Sequence, residues 1–157
     1  MVTQLHLAVA MAVDASLLVL DEPTLGLDLL FRKQFYDTLL NDYFDHRRTI
    51  LVTTHQVEEI EHVLTDVIFI DRGRIILSCS MDDLAARFAE ATVDSRQASE
   101  ARALNPLTER TVLGRSIMLF DSVTRDRQAG LGEVRTPTLA DIFVAMMSAN
   151  TPKGAAA

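Results

Sequence analysis

Two adjacent carboxylates, Asp21 and Glu22, follow a short apolar run and precede a proline. The run 17–20 reads Leu-Leu-Val-Leu, which predicts a strand buried on both faces of a parallel sheet. Ligands of open α/β sheets lie beyond the carboxyl ends of the strands, where these acids stand. Pro23 favours an extended backbone for Glu22. Such a pair suits magnesium-nucleotide chemistry, in which Asp21 would hold the ion through its waters and Glu22 would orient or deprotonate a water. A solvated Asp-Glu turn is the plain alternative.

Two further polar residues could join this chemistry. His55 follows the apolar run 49–54, which predicts a second buried strand. If the two strands are parallel neighbours, His55 lies in register with the acids, although a packed structural histidine is the alternative. Asp28 precedes the helical pattern of residues 29–45 and stands where an N-cap belongs, and capping alone would explain it.

The composition excludes several classes of protein. The chain has 157 residues, of which 48% are hydrophobic and 24% charged, and its formal net charge is −7. This acidity argues against nucleic acid as the main partner. The single cysteine, Cys79, excludes an internal disulfide framework and fits a reducing compartment. No apolar run approaches the roughly 18 residues of a membrane span and no signal peptide is visible, so we expect no direct membrane insertion.

Periodicity and turn residues predict further elements in the N-terminal part. The helix expected at 3–13 is apolar on nearly all sides, so we expect it to be buried. A short amphipathic helix is expected at 57–64. A β-hairpin is expected at 67–78, turning at Arg72-Gly73.

The pattern becomes mixed after residue 80. A helix is expected at 81–90, because Ser80 and Asp83 have the spacing of a capping box. Residues 91–110 are polar and predict a linker or irregular connection. The segment 112–120 is strand-like, with a candidate bulge at its glycine, Gly114.

The chain ends with a further short strand and a helix. Residues 130–134 predict the strand, and Thr138 and Asp141 repeat the capping-box spacing before the helix. Five apolar residues of this helix share one face, which we expect to pack on the strands at 111–134: Leu139, Ile142, Phe143, Met146 and Met147.

Three segments, in the same order and spacing, resemble motifs of ABC-type ATPases. Residues 17–24 resemble the Walker B motif, and residues 25–28 resemble the D-loop that follows it. Residues 52–55 are similar to the switch-histidine strand, and residues 67–78 to the next hairpin. The C-terminal part, which includes Pro-Thr-Leu-Ala-Asp-Ile-Phe at 137–143, resembles the tails of ATP-binding subunits of bacterial exporters.

The resemblance implies a role for each candidate residue. Asp21 would be the magnesium-site aspartate, Glu22 the catalytic carboxylate, Asp28 the D-loop aspartate across the dimer interface, and His55 the sensor of the γ-phosphate. The cofactors implied are ATP and Mg²⁺. The partners implied are a second ATP-binding subunit and a transmembrane permease, which would hold the protein at the cytoplasmic face of the membrane.

The chain also departs from this family, because no Gly-x-x-x-x-Gly-Lys-Ser/Thr loop, the Walker A motif, occurs in it. It therefore resembles the C-terminal half of such a subunit, with the ATPase core at 1–80 and an extension at 81–157. A truncated product, a mis-assigned start and a fragment of a longer chain all remain open. The expected fold is α/β, an incomplete P-loop NTPase-type parallel sheet with flanking helices, followed by a small α+β extension.

Two functions remain open from the sequence. The first is part of an ATPase subunit that powers membrane export, which would be inactive as a lone chain without the Walker A loop. The second is a non-catalytic partner-binding or regulatory module that acts through residues 111–149.

Overall fold

The computed structural model describes residues 2–45, 47–122, 130 and 132–150. The chain forms two compact units, Met1–Ile60 and Glu61–Ala157. The hairpin that the sequence placed in the first domain therefore groups with the second unit. The boundary at residue 80 rests on the order of family motifs and stays a prediction.

The first unit contains two helices and two strands: α1 (Val2–Met11), β1 (Leu17–Asp21), α2 (Leu29–Thr38) and β2 (Thr49–Thr53). A π-helical turn, Leu39–Tyr43, extends α2. Strands β1 and β2 are parallel, in register from Leu17 opposite Thr49 to Asp21 opposite Thr53. The predicted parallel neighbours are thus present, as a two-stranded sheet in the described part of the unit.

Burial of β1 differs from the expectation. Leu18 and Leu20 are buried, whereas Leu17 and Val19 are 54% and 56% exposed, so β1 is covered on one face only. Its unbroken apolar run predicted cover on both faces, but the described residues of the unit supply a core for one. Helix α1 was also expected to be buried, yet Leu5 is 63% exposed. The unit therefore presents apolar surface that its own described residues leave uncovered.

The part of the second unit that the structure describes contains two antiparallel sheets. Strands β3 (Asp66–Asp71) and β4 (Arg74–Ser80) form a hairpin. A four-stranded sheet has the order β6-β7-β5-β8 and is made of these strands: β5 (Phe88–Val93), β6 (Thr108–Val112), β7 (Arg115–Asp121) and β8 (Glu133–Arg135). The described residues of this unit also form three helices: α3 (Met81–Arg87), α4 (Ala98–Arg102) and α5 (Leu139–Asn150).

Several predictions between residues 57 and 110 were wrong. The helix expected at 57–64 is two separate 3-10 turns, Val57–Glu59 and Glu61–Val63. Helix α3 ends at Arg87 instead of residue 90, because Phe88 begins β5, which pairs with both β7 and β8. The expected linker at 91–110 contains the end of β5, helix α4 and the start of β6. Pairing with distant strands overrides the local preference of this alanine-rich, polar stretch.

Of two hairpin turns that contain a glycine, the turn between β3 and β4 was predicted correctly and the turn between β6 and β7 was not. Arg72 and Gly73 have φ of 48° and 74° in the loop between β3 and β4. Leu113 and Gly114 have φ of 51° and 79°, and Val112 pairs with Arg115, so Gly114 lies in a two-residue turn and not in a bulge. The segment expected as one strand is therefore a hairpin of β6 and β7.

Helix α5 packs by a narrower face than expected. Leu139 and Ile142 are fully buried, whereas Phe143 is 37% exposed and meets the ring of Phe69 edge to face, with centroids 5.1 Å apart. A residue far away in the sequence holds the N-terminus of the helix, because Leu139 N donates to Glu61 Oε1 at 3.0 Å. No helix within the described part of the chain is long and apolar enough to cross a membrane.

The four-stranded sheet also encloses a charge. Glu90 on β5 is 2% exposed. Its carboxylate accepts from Arg135 Nε at 2.7 Å, on the adjacent strand β8, and from Arg110 Nη2 at 3.4 Å, on β6 beyond β7, so two arginines pair with it. Gly132 lies close to the same strand, with φ of 115°, and a Cβ there would stand 2.4 Å from Thr92 O.

Candidate functional site

The carboxyl ends of β1 and β2 bring the first two polar side chains together. Asp21 and Thr53 form the last register pair, and Glu22 N continues the ladder by donating to Thr53 O at 2.9 Å. The Thr53 hydroxyl donates to Asp21 Oδ1. Asp21 is thus oriented by its neighbour while its side chain stays exposed.

Glu22 and His55 meet just beyond the strand ends. Glu22 Oε1 lies 2.7 Å from His55 Nδ1 and accepts from the backbone N of His55 at 3.0 Å. The other oxygen, Oε2, accepts from the Thr54 hydroxyl at 3.1 Å. The sequence placed these residues at one edge, and the structure joins them by direct hydrogen bonds.

The backbone of Glu22 differs from the expectation. Pro23 was expected to hold Glu22 extended, but its φ is 45°, in the left-handed region. A turn begins at this residue, because Leu25 N donates to Glu22 O at 3.1 Å directly after β1. The side-chain bonds to Thr54 and His55 then hold the strained residue in place.

The hydrogen bonds of Glu22 set its charge. Donation from His55, and then from Thr54, lowers the pKa of Glu22 below its usual value, and partial desolvation opposes the shift. Glu22 is therefore an ionised, acceptor-only carboxylate near neutral pH. It follows that His55 Nδ1 carries the proton it shares with Glu22. A neutral His55 then presents a bare Nε2 on a ring that is 67% exposed, and a protonated one presents a donor.

Asp28 belongs to a different local structure. Its backbone is extended, and its Oδ1 accepts from Phe31 N at 3.1 Å, so it is the N-cap of α2. The predicted cap is confirmed. The hydrogen bonds that link Asp21, Glu22 and His55 to their neighbours do not include Asp28.

A second hydrogen-bond network, which was not predicted from the sequence, lies beside the site. Arg32, on the first turn of α2, donates from Nε to Leu27 O at 2.7 Å and from Nη1 to Gln56 Oε1 at 2.6 Å. The same nitrogen pairs with Glu59. In a sequence, an arginine in the first turn of a helix looks like any surface residue. Only the contacts with Gln56 and Glu59, 24 and 27 residues away, distinguish Arg32.

The residues at the strand ends suit magnesium held with nucleotide better than a metal bound by protein alone. Asp21 offers an exposed carboxylate supported by the Thr53 hydroxyl. Within the described ranges, no three His, Cys, Asp or Glu side chains are grouped to hold a metal ion. Mg²⁺ keeps several waters and often takes only one or two carboxylates together with substrate phosphates, so this donor set fits it.

Comparison with known proteins gives relatives of one kind. No family model matches the chain. The daunorubicin resistance ATP-binding protein DrrA3 of Streptomyces coeruleorubidus is 32% identical over 137 residues, which is 84% of this chain and 43% of that protein. The probable multidrug ABC transporter ATP-binding protein YbhF of Escherichia coli is 36% identical over 86 residues, 55% of this chain and 14% of that protein.

A third relative has a shorter match. The high-affinity zinc uptake system ATP-binding protein ZnuC of Bacillus subtilis is 38% identical over 63 residues, 40% of this chain and 27% of that protein. The chain thus spans less than half the length of each of these relatives. The similarity to these proteins, together with two parallel strands that end in Asp21, Glu22 and His55, supports an ABC-type ATP-binding domain.

Proposed function

We propose that the chain is the C-terminal half of an ABC transporter ATP-binding subunit that couples Mg-ATP binding and hydrolysis to membrane export. The observation that carries the proposal is the contact of Glu22 with His55 at the ends of two parallel neighbouring strands. An acid fixed against a histidine there can act on a water and on a phosphate together. The similarity to ATP-binding proteins supports the same assignment.

Each side chain has a role that its surroundings support. Asp21, exposed and oriented by Thr53, holds the magnesium ion through its waters. When bound, the ion would neutralise charge on the phosphates. Glu22 is the catalytic carboxylate: it is ionised and can orient the attacking water or take its proton. His55, held through Nδ1, turns Nε2 outwards and donates to a γ-phosphate oxygen when it is protonated.

Asp28 has a second role in this proposal. As the cap of α2 it fixes the loop that resembles the D-loop. Its exposed position leaves it accessible to a second ATP-binding subunit, across whose interface it would act.

We propose export because the daunorubicin resistance protein DrrA3 matches more of the chain than the other relatives named above, and export of a drug would give resistance to it. A match over 84% of the chain necessarily runs past residue 80 into the extension, whereas the match to the zinc uptake protein covers 40% of the chain. We therefore assign the subunit to an exporter. A transmembrane permease would hold it at the cytoplasmic face of the membrane.

The lone chain should not hydrolyse ATP. Asp21 and Glu22 are both anionic, and the sequence supplies no Walker A lysine or backbone cradle to attract the triphosphate. The test is a thermal-shift measurement with millimolar Mg-ATP beside a phosphate-release assay on the purified chain. We expect neither stabilisation nor turnover. A melting rise of several degrees, or turnover that Glu22→Gln abolishes, would show that the chain binds nucleotide by another route.

Reading the DNA upstream of codon 1 separates this proposal from a non-catalytic partner-binding or regulatory module. An in-frame Walker A loop followed by a signature loop supports the subunit. Their absence favours the module, for which Leu113, at the tip of the β6-β7 hairpin, is the most exposed large apolar side chain among the described residues of the 111–149 region. Leu113 is 98% exposed.

A further inference from the structure

The guanidinium of Arg32 joins the two segments that follow the site residues Glu22 and His55 in the chain. Its Nε binds Leu27 O at 2.7 Å, on the turn that follows Glu22. Its Nη1 binds Gln56 Oε1 at 2.6 Å and pairs with Glu59, on the segment that follows His55. The ion pair is partly shielded, with 24% of the Arg32 side chain and 22% of the Glu59 side chain exposed.

A short chain of hydrogen bonds leads from Arg32 to Glu22. Gln56 accepts from Arg32 through its side chain, and its backbone N donates to the Thr54 hydroxyl at 3.0 Å. That hydroxyl donates to Glu22 Oε2 at 3.1 Å. Hydrogen bonds through Gln56 and Thr54 therefore connect Arg32 to Glu22, whose carboxylate holds His55.

A second contact closes the connection on the other side. Glu59 Oε2 lies 3.4 Å from the Thr24 hydroxyl, a long hydrogen bond from a side chain that is 1% exposed. Thr24 lies two residues after Glu22, and its carbonyl accepts from Leu27 N at 3.1 Å. Two sets of contacts therefore join the turn after β1 to the segment after β2. Glu59 binds Thr24 of the turn, and Arg32 binds both Leu27 of the turn and the Gln56–Glu59 pair.

We propose that Arg32 is a positioning residue that clamps the turn at 22–27 to the segment at 54–59 and so keeps His55 in contact with Glu22. The consequence for catalysis rests on the proposed function, whereas the clamp itself does not. Arginine suits the task because its planar fork places Nε and Nη1 at different acceptors. The lysine ammonium is a single point that cannot span Leu27 O and the Gln56–Glu59 pair together.

The test uses the full 157-residue chain and three variants, Arg32→Lys, Arg32→Gln and, as the matched control, Lys33→Gln. Lys33 is the next residue of α2 and is exposed. Amide hydrogen exchange at His55 and the ¹⁵N shifts of its ring are measured at one fixed pH. Thermal unfolding is recorded for each variant, so that a general loss of stability is seen separately.

We expect exchange at the His55 amide to rise about tenfold in both Arg32 variants, because that amide loses a fixed acceptor. The ring shifts should move towards the values of a free histidine, and Lys33→Gln should change neither reading. Arg32→Lys keeps the charge, so the same change in both variants would come from geometry.

Two outcomes would overturn the clamp. The first is a lower melting temperature with unchanged His55 exchange and ring shifts, which would make Arg32 only a stabilising ion pair. The second is a change in Arg32→Gln that Arg32→Lys does not share, which would make it an effect of charge. Because nucleotide is absent from this test, failure of the clamp and failure of the ATPase assignment are separate results.

Discussion

Helix α5 offers a graded test of whether the C-terminal part is a packed unit. Three consecutive residues differ in exposure: Ile142 is fully buried, Phe143 is 37% exposed and Val144 is 60% exposed. Replacing the first by Ala removes a fully buried side chain, which typically costs about 2–5 kcal/mol of unfolding free energy. Since Phe143 is only partly buried, its loss should cost about 2 kcal/mol, including the edge-to-face contact with Phe69. Val144→Ala should cost about 0.5 kcal/mol or less.

The assay is urea unfolding of the three variants, followed by circular dichroism and by hydrogen exchange across β6 and β7. With a urea dependence of about 1 kcal/mol/M, the midpoints should fall by roughly 3 M, 2 M and less than 0.5 M in that order. Equal, small shifts at Ile142 and Val144 would refute the packing, because they would mean that Ile142 faces solvent. In that case the helix would be free to bind a partner, and the module interpretation would gain.

Three further outcomes follow from individual contacts. His55→Ala should abolish most turnover in the complete subunit but barely change the melting temperature, because the ring is 67% exposed. Gly132→Ala should lower the melting temperature of the second unit clearly more than Gly114→Ala, because a Cβ at Gly132 overlaps the backbone of β5 while Gly114 faces open space. The hydrogen bond from Arg87 lowers the pKa of Asp121. The pair therefore stabilises the fold at pH values above the unfolded pKa of Asp, near 4, and this stabilisation is lost as the pH falls through the folded pKa. In unfolding curves recorded over a pH series, Asp121→Asn should lose less unfolding free energy on acidification than the wild type.

The candidate site was predictable because the same short sequence pattern marks the end of both strands. An apolar run followed by polar residues marks a strand end, and two parallel strands bring such ends together. His55 was expected at the same sheet edge as Asp21 and Glu22, and the structure places it there and adds a direct contact with Glu22. The caps at Asp28 and Ser80 were predictable for the same reason, since a cap is read within four residues.

The rest of the fold depends on contacts between residues far apart in the chain. The stretch that forms β5 has a local preference for helix, and its pairing with β7 and β8 decides its structure. The partners of Glu90 are 20 and 45 residues away, so its burial as an ion pair has no local signal. Arg32 is likewise 24 and 27 residues from Gln56 and Glu59. The positive φ of Glu22, where a turn begins, is likewise outside the rule for residues before proline.

The role of Glu22 is the central claim, and one substitution tests it most directly. Glu22→Gln keeps the size of the side chain and one acceptor oxygen, but it removes the base. In the complete subunit, single-turnover hydrolysis of Mg-ATP should fall about 100-fold or more while ATP binding is retained. Hydrolysis near the wild-type rate in a variant that still binds ATP would contradict the account.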